Sequence, residues 1–159
     1  MEVGLNGPDF YMAKANSRGM YPNGRGKSKE QFVRALHAIF DHPDYLVLTF
    51  TQRALLWDIS RQYDGHNNGD LTLAPKVMKK WGWKKDTLLR HRDALVENGW
   101  LVITGSKKVR KGTCYLYALS WLSIDDCGGK LFPDAYQHKP RSLRLSGSNL
   151  RLLNSIKAA

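Results

Sequence analysis

The spacing of apolar residues changes once along this chain, at Gly99, and that change limits the folds open to it. Upstream, Leu55, Leu56, Ile59 and Tyr63 in LLWDISRQY, then Leu88 and Leu95 in DTLLRHRDALVENG, recur at helical intervals. Downstream, Trp100-Leu101-Val102-Ile103-Thr104 is a β-rich run. Thr113 to Trp121 then alternates Tyr115, Tyr117, Leu119 and Trp121 against Cys114, Leu116, Ala118 and Ser120. Helices repeat every 3.6 residues and strands every two, so the two patterns belong to different elements. The chain therefore places helices first and a β-hairpin after them, an α+β order with mainly helical content.

Local signals set the boundaries. Phe32, Val33, Leu36, Ile39 and Phe40 predict a first helix, broken at Pro43, with a short turn carrying Tyr45 to Leu48. Thr49-Phe50-Thr51-Gln52 has the form of a capping box, which starts a helix predicted to run through Tyr63 to a glycine cap at Asp64-Gly65. Leu71-Thr72-Leu73 suits one short strand. Pro75 opens the short helix PKVMKKW, Gly82 ends it, and the next helix starts near Lys85 or Asp86 and stops at Asn98-Gly99. GSKKVRKG is read as the loop between two strands. Helix, short strand, helix, tight turn, helix and hairpin is the layout of a winged helix-turn-helix. Residues 31–122 form that domain, with a flexible basic arm over 1–30 and a C-terminal basic tail over 123–159. In the tail, Leu150, Leu153 and Ile156 mark a weak amphipathic helix.

Composition matters here through its charge. The chain carries 25 Lys and Arg against 14 Asp and Glu, a net charge of +11, and such an excess points to an anionic partner. The excess is concentrated. Between Lys76 and Lys111 stand eleven Lys or Arg and only three acids, Asp86, Asp93 and Glu97. A solvated face usually mixes both signs, whereas these cations fall on the second helix, the turn, the third helix and the hairpin.

The third helix is expected to turn Leu88, Leu95 and His91 inward and Thr87 and Arg90 outward. Arg90 is the candidate for base reading, since its planar fork fits the O6 and N7 of guanine. Thr87 suits a thymine methyl or a phosphate. Lys84 and Lys85 suit phosphates, as do Lys76, Lys79 and Lys80 just ahead of them. Lys107, Lys108, Arg110 and Lys111 place four cations on the hairpin tip, suited to phosphate or minor-groove contact. The competing reading of Arg90 is an ion pair with Asp93 one turn on. For Trp81, Trp83 and Trp100, packing at element ends is favoured over stacking on single-stranded bases.

The run DTLLRHRDALVENGWLV, residues 86 to 102, resembles the third helix and first wing strand of winged-helix repressors of the arsenic-repressor and multidrug-repressor type. Thr87, Arg90, His91, Leu95, Glu97, Gly99 and Leu101 carry the match. FVRALHAIFDHPDYLVL, RALLWDISRQYDGHNNGDLTL and YLYALSW are similar to small winged-helix proteins of phages, plasmids and other mobile elements, over about residues 32 to 125. The resemblance implies that Lys85, Thr87, Leu89 and Arg90 line a groove-facing side. Arg92 departs from it, standing where the repressors usually have a leucine, and so does the absence of paired cysteines on a helix.

No enzymatic site is expected. Asp125-Asp126 before Cys127 reads as a solvated turn, the five histidines lack metal-ligand spacing, and the glycine-rich loops match no phosphate or dinucleotide fingerprint. Neither a metal nor a cofactor is expected. Two scattered cysteines make no disulfide framework, and no apolar run approaches the roughly 18 residues of a membrane span, so a cytoplasmic protein with reduced thiols is the default. The expected partner is double-stranded DNA, bound in sequence-specific fashion by a transcriptional regulator or replication-initiator-like factor of a mobile element. A homodimer through residues 149–157 or 32–40 would read two half-sites. The alternative is a protein-interaction module, either a subunit of a larger nucleoprotein assembly or a phage-encoded inhibitor of one.

Overall fold

The computed structural model describes residues 32–110, 112–144, 154, 155 and 158. The arm expected over 1–30, Lys111 and most of the helix expected near 149–157 lie outside the described residues. The elements below all belong to one compact unit, Val33–Ala159. They comprise five α-helices and a three-stranded antiparallel sheet.

The first helix is much shorter than its sequence pattern predicts. Only α1 (His37–Phe40) is helical, and Leu36 just before it is extended. Ile39 alone of the predicted stripe is fully buried, while Phe32 and Val33 remain exposed. A short helix is marginal unless its apolar face is covered, and here most of that face is not. Pro43 ends this run and also starts the next turn. In α2 (Pro43–Leu46) it takes the first helical position, and His42 Nδ1 accepts the Asp44 N–H at 3.2 Å.

The capping box forms as predicted at the start of α3 (Phe50–Ser60). The Gln52 N–H donates to Thr49 Oγ1 at 3.3 Å, and the Thr49 N–H donates to Gln52 Oε1 at 2.8 Å. Leu55, Leu56 and Ile59 are completely buried. The helix stops earlier than Gly65, with Arg61 at its cap. Gln62 explains this. Its side-chain amide donates to the Thr72 carbonyl (2.8 Å) and accepts the Thr72 N–H (3.0 Å), tying the end of α3 to the edge of β1 (Leu71–Thr72).

Next come α4 (Pro75–Met78) and a single 3₁₀ turn, Lys79–Trp81. Gly82 takes φ 86°, the left-handed conformation that ends such a turn cleanly in a residue lacking Cβ. After two more residues α5 (Lys85–Glu97) begins. It packs against α3, burying Leu88 and Leu95.

β2 (Leu101–Val109) and β3 (Gly112–Leu119) form the hairpin, and the sheet order is β1-β3-β2. Here the segment GSKKVRKG departs from its predicted loop. Lys107 pairs with Cys114 and Lys108 with Thr113, so the ladder runs on to Val109. Glycine, serine and lysine have low strand propensity, but a partner strand satisfies their backbone whatever the side chains are. A bulge at Thr104 shifts the register between Ile103 and Gly105.

The sheet is covered on both faces. Leu101, Tyr117 and Leu119 join the helices in the main core. On the other face Leu116 packs against Cys127, Leu131 and Ala135, which lie in the stretch read from sequence as tail. That stretch bridges to Gly105 through Leu131. A Cβ at Gly105 would lie 2.8 Å from the Lys130 carbonyl oxygen, so only glycine lets the two backbones meet. Buried Asn68 ties the region together. Its Oδ1 accepts the Leu119 N–H (2.8 Å), its Nδ2 donates to the Ser123 carbonyl (2.9 Å), and its backbone N–H donates to Asp125 (2.7 Å).

Candidate nucleic-acid interface

The candidate surface starts with α4. Burying Met78 leaves Lys76, Lys79 and Lys80 exposed. Trp81 and Trp83 pack against the core, as the packing reading requires, and Trp83 Nε1 donates to Asp58 at 2.8 Å. Trp100 is fully buried. The two anchored tryptophans fix the backbone on either side of Gly82, so the flanking lysines have nowhere to go but outward.

On α5 the register is set by Leu88 and Leu95. Lys84, Lys85 and Arg90 are exposed, and Thr87, Leu89 and His91 are half-buried. His91, expected to point inward, reaches the boundary. Burial lowers its pKa from the ordinary histidine value, and the neighbouring Arg90 charge lowers it further. The competing Arg90–Asp93 pair does not form. Asp93 is occupied by Arg92, whose Nη2 and Nε lie 2.6 and 2.8 Å from its Oδ1. Arg92, the residue that departs from the repressor pattern, thus occupies the acid that would have competed for Arg90. The start of α5 has an exposed feature of its own: Lys84 is the N-cap and no side chain caps the first amides.

The hairpin contributes less free charge than its sequence suggests. Lys107 donates to Asp70 Oδ1 at 2.9 Å, and Lys130 donates to the other oxygen at 2.5 Å. Burial alone would raise the Asp70 carboxyl, but the hydrogen bonds from Lys130 and Lys107 more than offset it and hold its pKa below the ordinary value. Lys108 and Arg110 are exposed and have no ion pair among the described residues. Lys111 lies outside the described residues.

Three residues that shape this surface left no signal in the sequence. Asp70 neutralises part of the hairpin. Arg61, at the end of α3, holds its guanidinium 5.2 Å from the centre of the Trp81 ring. Arg141, from the supposed tail, reaches the far end of α5 and donates to the carbonyls of Asn98 (3.0 Å) and Gly99 (3.1 Å). Among the described residues, no three His, Cys, Asp or Glu side chains gather where a metal could be held, and no helix is long and apolar enough to cross a membrane. Cys114 and Cys127 are both free thiols.

Comparison of the chain with protein-family models, with curated proteins and with solved structures finds no match.

Proposed function

We propose that the unit is a winged helix-turn-helix that binds double-stranded DNA, as a transcriptional regulator or replication-initiator-like factor of a mobile element. One observation carries the reading. Lys76, Lys79, Lys80, Lys84, Lys85 and Arg90 are exposed along α4, its turn and α5, and none has an ion pair among the described residues. Unpaired cations on a helix pair whose other side is buried suit a polyanion. The uncapped start of α5 adds unsatisfied amides of the same polarity. In this reading α5 enters the major groove, Arg90 reads a base edge and Thr87 stands beside it. The lysines hold phosphates, and Lys108 and Arg110 of the hairpin follow the backbone alongside.

Selection on random duplex DNA followed by footprinting tests it, with a preferred site as the expected result. If four to six phosphates are neutralised, log K against log salt falls with a slope of about −4 to −5. An isotherm unchanged between low and moderate salt rejects the reading. A second reading, a module that docks a protein, draws on Val47 and Phe50, both largely exposed at the corner between α2 and α3. Retention of a protein partner after nuclease treatment would favour it.

A further inference from the structure

Trp81 gathers two cations from different elements. Lys80 Nζ lies 4.4 Å and Arg61 Cζ 5.2 Å from the centre of its ring. The two charges are therefore closer to each other than the screening length of roughly 10 Å at 0.1 M salt, and they repel. Lys80 has no ion pair among the described residues. Arg61 has one weak partner, Asp58, at 4.0 Å, and the other oxygen of that carboxylate accepts the Trp83 indole N–H at 2.8 Å. Two like charges meet at one aromatic ring, and the nearby acid is partly engaged elsewhere, so an anion that both can reach would relieve their repulsion. The ring is packed against the core, so it fixes where the cations sit.

We propose that Arg61 and Lys80, gathered on Trp81, bind a phosphate group, and that in the DNA-bound state it is a backbone phosphate flanking the segment read by α5. The second clause rests on the DNA-binding reading; the first does not. A guanidinium supplies a planar fork and an ammonium a compact charge, and a tetrahedral oxyanion can engage both at once. Arg61 thereby joins the interface from α3, outside the stretch where sequence concentrates the charge.

The test uses the full chain, its Arg61→Gln variant and the Arg61→Gln/Lys80→Gln double variant. Both changed side chains are exposed, so folding should persist. Binding to a duplex recovered by selection is measured across a salt series. The expected result for the double variant is a salt slope shallower by about 0.9, one phosphate's worth, with the preference between specific and random duplex unchanged. Arg61→Gln should lose only part of that increment, because Lys80 still faces the same phosphate. A wild-type slope in the double variant, or a loss of sequence preference instead, overturns the proposal. The second arm titrates inorganic phosphate at constant ionic strength and follows the Trp81 indole N–H by NMR. A Trp81 shift that vanishes in the double variant, in a protein that binds no duplex, keeps the phosphate site and rejects the DNA reading. No shift and no change of slope rejects both clauses.

Discussion

The two ends of α5 are built in opposite ways. At the C-terminal end most of the carbonyls are answered from within the chain. Asn98 Nδ2 donates to the Ala94 carbonyl at 2.8 Å, and the Trp100 N–H donates to the Leu95 carbonyl at 2.9 Å. Arg141 takes the carbonyls of Asn98 and Gly99, pairs with Asp44 and lies 4.3 Å over the Trp100 ring. Cations belong at this end, where the helix dipole is negative. At the N-terminal end, Lys84 stands where an Asp, Ser or Asn would cap best, beside Lys85 and with no side-chain acceptor. A cation there opposes the dipole. One end is fixed by side chains from elsewhere in the fold; at the other, Asp86 is the acid of the first turn and the lysines stand exposed beside amides that no side chain caps.

That contrast can be broken most forcefully at Arg141. Replacing it with alanine removes the carbonyl cap and the ring contact and leaves Asp44 without its partner. Chemical denaturation should show a loss of about 2–3 kcal/mol, in line with charged hydrogen bonds at a partly buried site. An unchanged midpoint would mean the C-terminal end is held by the helix alone. Arg90→Ala should do the reverse. Stability should stay within about 0.5 kcal/mol, while discrimination at one base pair falls by about 1–3 kcal/mol, read from binding to single-substituted duplexes.

Lys84→Asp sharpens the comparison further because its two effects should have opposite signs. An aspartate cap should stabilise the fold by about 0.5–1 kcal/mol in thermal or urea unfolding, yet weaken DNA binding. A variant that is both more stable and an equal binder would remove the N-terminal end from the interface. The smallest effect concerns His42, the buried cap of α2, whose pKa is lowered by burial and by Arg141, while Asp44 acts to raise it. A histidine with a lowered folded-state pKa binds fewer protons folded than unfolded. Its contribution is therefore present above the ordinary value of 6.5 and is lost as pH falls from there through the folded-state pKa. His42→Asn, which keeps a capping side chain, should flatten that acid limb of the stability profile.

The fold was legible wherever a local signal decided it. The Thr49–Gln52 box, Pro75, Gly82 and Gly99 act within a few residues of themselves, and each boundary they mark appears in place or nearly so. The early end of α3 and the shortened first helix were not legible, since Gln62 answers to Thr72 and Phe32 and Val33 stay exposed. At the candidate interface, the exposure of Lys85 and Arg90 could be read from spacing alone, because the register of α5 separates them from Leu88 and Leu95. Lys107 could not be told from Lys108, because its partner Asp70 lies 37 residues away in sequence.

Sequence by itself determined the order of elements, their caps and the excess of positive charge on the second half of the helical region, because periodicity, capping and composition are properties of neighbouring residues. Only the tertiary structure decided which of those charges stay unpaired. Asp70 is brought to Lys107 and Lys130, Asp93 turns to Arg92, Arg61 meets Trp81, and Arg141 closes α5. An ion pair needs two groups within a few ångströms, and except for adjacent Arg92 and Asp93 that proximity comes from packing the chain, not from its spacing.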